Sequence, residues 1–132
     1  MKSIFKIGNQ ITITHQVVEA DLASFNEENV HPFYATFALG RDAEWACRQF
    51  VLQMKDHDEE GIGTFLNIRH ISPAFLDDIV EITATLKVLD GHKIDCDFQA
   101  KVGDRIIAEG EQGQKILKKE KVQRLIQSVK NG

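Results

Sequence analysis

The sequence predicts an α+β fold in which a curled antiparallel sheet of about five strands wraps one central helix, with a second helix at the C-terminus. Three observations predict it. Residues 36–54 repeat apolar side chains at helical spacing over a face too broad for a surface helix. Most of the chain after residue 63 alternates polar and apolar residues with period two, broken by turn residues. One face of those strands is apolar, and the helix is the only element of the right size to cover it.

The elements follow in order. Ile11 to Val18 alternates and reads as a first strand. The polar stretch Glu19 to His31, with a short apolar interruption at Leu22 and Phe25, reads as a loop holding at most a helical turn. Pro32 limits any helix through it. From Thr36 to Met54, Leu39, Ala43, Ala46, Cys47, Phe50, Val51 and Met54 share one helical face, and Arg41, Asp42, Gln49 and Gln53 take the other. The segment Lys55 to Gly61 ends this helix as an exposed acidic loop.

Strands dominate the remainder. Thr64, Leu66, Ile68 and His70 lie on one face of a strand, with Phe65, Asn67 and Arg69 on the other. After a turn at Ser72-Pro73, Ile82, Ala84, Leu86 and Val88 alternate with Glu81, Thr83, Thr85 and Lys87. Asp90-Gly91 marks a hairpin turn. Ile94, Cys96, Phe98 and Ala100 then alternate with polar neighbours. A turn near Gly103-Asp104 leads into Arg105 to Leu117, where Gly110 and Gly113 point to bulges or close backbone approach. An amphipathic helix, Lys119 to Val129, closes the chain. A strand, a helix and a four-strand meander in this order make the hot-dog architecture. Its free sheet edge is a liability that pairing with a second copy removes, so a homodimer is expected.

Composition narrows the function. The 132 residues carry no internal repeat or Pro/Gly-rich linker, so one domain, 1–132, is expected. A net charge of -4 argues against general nucleic-acid binding, which needs a basic surface. The locally basic stretch with Lys118, Lys119, Lys121 and Arg124 reads either as a solvated terminal helix or as a perch for the phosphates of a nucleotide-bearing ligand such as coenzyme A. No apolar run is long enough to span a membrane, and the N-terminus has no secretory pattern. Two cysteines within core-patterned segments fit reduced thiols in the cytoplasm. His15, His31, His57 and His92 have no partners at metal-ligand spacing, so neither a metal nor a resident cofactor is expected. There is no G-x-S-x-G elbow, P-loop or G-x-G-x-x-G, and Cys47 and Cys96 point to the core rather than to a nucleophile's setting.

Three polar residues fall on or beside surfaces that otherwise read as core. Glu44 lies on the margin of the apolar helix face, either as a surface pair with Arg48 or as a partly screened carboxylate suited to a base or nucleophile. His70 shares its strand face with Leu66 and Ile68, either as a satisfied core histidine or at a cleft opened by the following Pro turn. Thr36 precedes the helix, where threonine commonly serves as N-cap.

Together these residues resemble a known family. Tyr34-Ala35-Thr36, then Glu44-Trp45-Ala46-Cys47, Gly63-Thr64 and His70 are similar to the hot-dog thioesterases related to the fluoroacetyl-CoA thioesterase. The resemblance runs from about Gly8 to Lys121, with the family's Thr-to-Glu and Thr-to-His spacings kept without a gap. It implies hydrolysis of a small or medium acyl-CoA thioester by Thr36, Glu44 and His70, with coenzyme A as part of the substrate. It also implies that Gly63, Val30 and Phe33 contact the substrate. The family's fluoroacetyl-specific enzyme carries two lid phenylalanines where this chain has Glu27 and Val30, and a late basic residue that corresponds to Gln114 here. Fluoroacetyl-CoA is therefore not the expected substrate. The alternative on the same fold is a non-catalytic acyl-CoA binding or sensing module. A hot-dog hydratase would carry an Asp…Asn-Pro-x-His pattern, which does not occur.

Overall fold

The computed structural model describes residues 1–26 and 28–132. In order, the elements are β1 (Gln10–Gln16), a 3-10 turn (Glu19–Asp21), β2 (Leu22–Phe25), β3 (Glu28–Tyr34), α1 (Thr36–Met54), β4 (Glu59–His70), β5 (Ile79–Asp90), β6 (Lys93–Val102), β7 (Arg105–Lys118) and α2 (Lys119–Asn131). Five strands form one antiparallel sheet in the order β1-β5-β6-β7-β4, and β2 and β3 form a separate ribbon. This is the expected hot-dog arrangement, a sheet curled around α1.

Helix α1 has the bounds that periodicity gave it. Residues 37–47 include three alanines (Ala38, Ala43 and Ala46) and no β-branched residue, a composition that favours helix over strand. Leu39, Phe50, Val51 and Met54 are fully buried against Ile82, Leu86, Ile94 and Ile116 of the sheet. Each such side chain contributes roughly 1.5–3 kcal/mol by leaving water. The hairpin turns fall where Gly91 and Gly103 supply positive φ (58° and 59°), which a residue with a Cβ adopts at a cost. Gly110 allows close approach, because a Cβ there would lie 1.9 Å from the Asn67 carbonyl oxygen. No helix is long and apolar enough to cross a membrane among the described residues.

Four expectations need correction. The segment 19–31 is not a loop: it holds the 3-10 turn, β2 and most of β3. Its ribbon is exposed along nearly all of β3, so no alternation of buried and exposed residues marks it in the sequence. The last four strands are not one meander, since β4 pairs with β7 at the far edge and only β5, β6 and β7 are joined by hairpins. The connection from His70 to Ile79 is too long for a hairpin and carries the chain across the sheet. Strand β4 begins at Glu59, inside the expected acidic loop. Glu59 is buried because its carboxylate meets the N-terminal ammonium at 2.8 Å and accepts the Asp56 N–H. Lastly, Asp42 is buried rather than on the exposed helix face.

The burial of Asp42 belongs to a polar network beside the start of α1. Arg41 donates to Asp42 Oδ1 and to Asp21 Oδ1, each at 2.9 Å. The Tyr34 hydroxyl donates to Asp42 Oδ2, and His15 Nε2 lies 2.6 Å from Asp21 Oδ2. The Ala35 N–H donates to the Asp21 carbonyl, which ties this network to the β3–α1 junction. Burial pushes the Asp21 carboxyl up, but bonds from the Val18 N–H, His15 and Arg41 outweigh it and hold Asp21 below the usual carboxylate value. Burial and the Asp42 carboxylate drive the Tyr34 phenol far above its ordinary value, so it stays a donor.

Candidate active site

The chain leaves β3 extended at Tyr34 and Ala35 and turns into α1 at Thr36. Ala35 occupies the N-cap and makes no side-chain cap bond. The first intrahelical bond runs from the Leu39 N–H to the Ala35 carbonyl at 2.9 Å. The N–H groups of Thr36, Phe37 and Ala38 therefore have no intrahelical acceptor, and the helix dipole concentrates positive potential there. Thr36 is not the N-cap. Its Oγ1 instead lies 2.8 Å from Nε2 of His70, which arrives at the end of β4. The structure thus joins two residues separated by thirty-four positions in sequence, at the uncapped start of the helix.

A cavity of about 640 Å³ opens beside this pair. Its floor is buried and almost wholly apolar: Ala23, Ala35, Leu39, Ala74 and Ile107, with the Tyr34 ring. Its rim is exposed and includes Thr36, His70, Phe25, Phe33, Phe37 and Ile71. Phe33 packs edge-on against Phe75 with ring centroids 5.5 Å apart, which fixes one side of the mouth. His31 stands next to it, its Nδ1 accepting the Phe33 N–H at 3.3 Å.

Glu44 sits elsewhere on the same helix. Eight residues at 1.5 Å each put it about 12 Å along the axis from Thr36. Its carboxylate faces Gly63 of β4, where a Cβ would lie 2.7 Å from Glu44 Oε1. The surface pair with Arg48 does not form, because Arg48 donates to Glu60 at 2.8 Å. Among the described residues no cation lies within ion-pair distance of Glu44. Gln112, buried beside Gly63, donates its amide N–H to the Gly113 carbonyl and accepts through its amide oxygen from Gln114 Nε2. The carboxylate is thus half-buried and unpaired.

The remaining sequence candidates divide. Phe33 lines the cavity and Gly63 lies against Glu44. Val30 is exposed on β3 and is not among the residues lining the cavity. Glu27 lies outside the described residues. Phe25, Ile71, Ala74 and Ile107 also line the cavity, and sequence reasoning missed them. Phe25 gave a signal, as a large apolar residue in an otherwise polar stretch. Ile107 looked like any core residue of its strand. Cys47 is not a nucleophile, since the neighbouring Cys96 thiol and burial both push its own thiol far up. No group of three or more metal-ligating side chains is found among the described residues.

Comparisons with known proteins give the geometry a context. A family model described as fluoroacetyl-CoA-specific thioesterase matches residues 17–120. A comparison with curated protein sequences finds no match. Among solved structures, the chain is similar to a hypothetical protein of Thermus thermophilus described as a thioesterase superfamily member, at 28% identity and a TM-score of 0.92, covering 99% of this chain and 96% of that one. It superposes on a phenylalanine-to-alanine variant of the fluoroacetyl-CoA-specific thioesterase at 20% identity and a TM-score of 0.86, covering 96% and 98%. A hot-dog-like protein of Thermanaerovibrio acidaminovorans matches at 16% identity with a TM-score of 0.86, covering 94% and 92%. The last two, by their low identity, speak to the fold.

Proposed function

The chain belongs to the fluoroacetyl-CoA-specific thioesterase family of hot-dog proteins, and from that premise we propose that it hydrolyses acyl-CoA thioesters with Thr36, Glu44 and His70. The observation that carries the reading is the Thr36–His70 hydrogen bond at the uncapped start of α1, on the rim of an apolar cavity. An acyl group in that cavity directs its thioester carbonyl toward the free N–H groups of the first helical turn. Those donors and the helix dipole stabilise the oxyanion that forms on attack.

Glu44 supplies the attack. As general base it takes a proton from water while the water oxygen bonds to the carbonyl carbon. As nucleophile it forms a mixed anhydride that water then opens. In either route the carbon–sulfur bond breaks, and the sulfur leaves with the bonding pair. A thiol with a pKa near ~8.5 leaves as the thiolate with little acid help, and His70 is placed to pass it a proton drawn from solvent. Thr36 orients His70 through their shared hydrogen bond.

Thr36 and Glu44 of one chain lie too far apart along α1 for both to reach one carbonyl, so the working site closes across a homodimer. Exposed apolar side chains support this assembly. Phe37 and Trp45 on α1, and Phe65 and Leu66 on the edge strand β4, are each 41–50% exposed in the single chain. Pairing of β4 would cover them and remove a long unpaired edge.

The test follows thiol release from short, branched, aromatic and long acyl-CoAs. Thr36→Ala and His70→Ala are each expected to lower kcat by about 100-fold or more. Mixing Thr36→Ala with Glu44→Gln protein under subunit exchange should restore activity, because the mixed dimer keeps one intact set. Tight binding with no release from any ester would replace this reading with a non-catalytic acyl-CoA binding module. Wild-type turnover in His70→Ala would remove the Thr36–His70 pair from the chemistry.

A further inference from the structure

We infer that the acyl group taken by this site is bulky, uncharged and apolar, medium-chain, branched or aromatic, and that two-carbon and dicarboxylic acyl groups are poor substrates. The inference rests on the thioesterase reading above and deepens it.

Size is the first support. The cavity holds about 640 Å³, within the roughly 300–1,000 Å³ of pockets that enclose drug-sized ligands. An acetyl or fluoroacetyl group would leave most of it occupied by water against apolar walls. The floor built from Ala23, Leu39, Ala74 and Ile107 gains nothing from such a group beyond its first carbons.

The second support is that the polar groups of the cavity are already committed. The Tyr34 hydroxyl donates to Asp42 Oδ2, away from the acyl space. Ser72 Oγ donates to the Ile106 carbonyl at 3.1 Å and accepts from Arg105 at 2.7 Å. The Arg105 guanidinium also bonds the Pro73 carbonyl. Among the described lining residues there is no lysine, arginine, aspartate or glutamate. A carboxylate at the far end of an acyl chain would therefore enter an apolar floor with no cation among its lining residues, the Arg105 guanidinium behind them being committed to Ser72 and Pro73, at a large desolvation cost. The two imidazoles belong to the rim, His70 bonded to Thr36 and His31 to the Phe33 N–H.

Selectivity then grows with apolar length until the floor is reached. Each methylene transferred from water is worth ~0.8 kcal/mol, or about fourfold in kcat/KM, so four methylenes give roughly 200-fold. The experiment measures kcat/KM by thiol release with acetyl-, hexanoyl-, phenylacetyl- and succinyl-CoA on the full chain. Hexanoyl- and phenylacetyl-CoA are expected to exceed acetyl-CoA by about 200-fold, with succinyl-CoA no better than acetyl-CoA. Equal or higher values for acetyl- or succinyl-CoA would overturn the inference and leave thioester hydrolysis standing. If no ester is hydrolysed, the thioesterase reading fails by itself. The affinities of the matching thioether analogues then decide the cavity's preference: a hexanoyl-over-acetyl ratio of similar size supports it, and equal affinities overturn it.

Two variants tie the preference to this cavity. Ala74→Leu fills the floor and should lower the hexanoyl-to-acetyl ratio by about tenfold or more, from the methylenes it excludes. Should that variant not fold, Phe33→Ala removes apolar contact at the mouth and should lower the same ratio. An unchanged ratio in a folded variant would put the acyl group elsewhere.

Discussion

Replacing Gly63 with alanine separates the position of the Glu44 carboxylate from the stability of the fold. The added Cβ would lie 2.7 Å from Glu44 Oε1, whereas ordinary contact begins at 3.4 Å. The two atoms must part by at least 0.3 Å, and by 0.7 Å to reach ordinary contact. The next neighbours, Glu44 Cδ at 3.7 Å and Gln112 Nε2 at 3.8 Å, are already in ordinary contact, so the carboxylate end moves and the backbone does not. Gly63 is not among the residues with positive φ, and alanine is compatible with its strand conformation. The stability change should stay within about 1 kcal/mol. Catalysis is less forgiving, since a shift of about 1 Å in a reacting group costs on the order of 100-fold. The variant should therefore lose about 10- to 100-fold in kcat with its melting temperature nearly unchanged, measured by thiol release and by calorimetry. Full kcat in a folded Gly63→Ala protein would refute the placement of Glu44 in the reaction. A collapsed melting temperature would refute the view that the side chain yields rather than the strand.

Other outcomes follow from the same geometry. Asp21→Asn removes the carboxylate that meets Arg41 at 2.9 Å and His15 at 2.6 Å, and should cost about 2 kcal/mol in urea unfolding at neutral pH. The Asp21 carboxyl is held below its ordinary value in the fold, so its stabilisation is present above the unfolded value of ~3.9 and is lost as pH falls through the lower folded value. The urea midpoints of wild type and Asp21→Asn should accordingly converge below about pH 4; a constant gap would contradict the sign. Gly110→Ala would put a Cβ 1.9 Å from the Asn67 carbonyl and 2.8 Å from the Phe98 ring, where backbone must move. A loss of about 3 kcal/mol or more is expected in thermal or urea unfolding, and a wild-type midpoint would show that β4 and β7 are not so closely apposed.

Legibility in the sequence followed burial. Helix α1 was found to the residue because its buried face repeats without interruption from Leu39 to Met54. Strands β5 and β6 were found because each alternates a buried with a less buried residue over most of its length. The β2–β3 ribbon was missed because it is exposed on nearly every residue of β3, and hydrophobic periodicity reports only on faces that are buried. The position of β4 at the sheet edge was missed because alternation reveals a strand but not its neighbour. At the site, the family resemblance grouped Thr36 with Glu44 and His70; the structure places Thr36 Oγ1 2.8 Å from His70 Nε2 and leaves Glu44 further along the helix. The buried network of Asp21, Arg41, Asp42 and Tyr34 was illegible, since charged residues in sequence read as exposed and only their mutual hydrogen bonds make burial tolerable.

Glu44 is the residue on which the account turns: half-buried, unpaired, and held beside a glycine that leaves room for it. The direct measurement is the rate of thiol release from hexanoyl-CoA by wild type and by Glu44→Gln, which keeps the shape and removes the charge, with thermal unfolding as a check on the fold. The account predicts measurable wild-type turnover and a loss of about 100-fold or more in the variant at an unchanged melting temperature. Equal rates in the two proteins would contradict it.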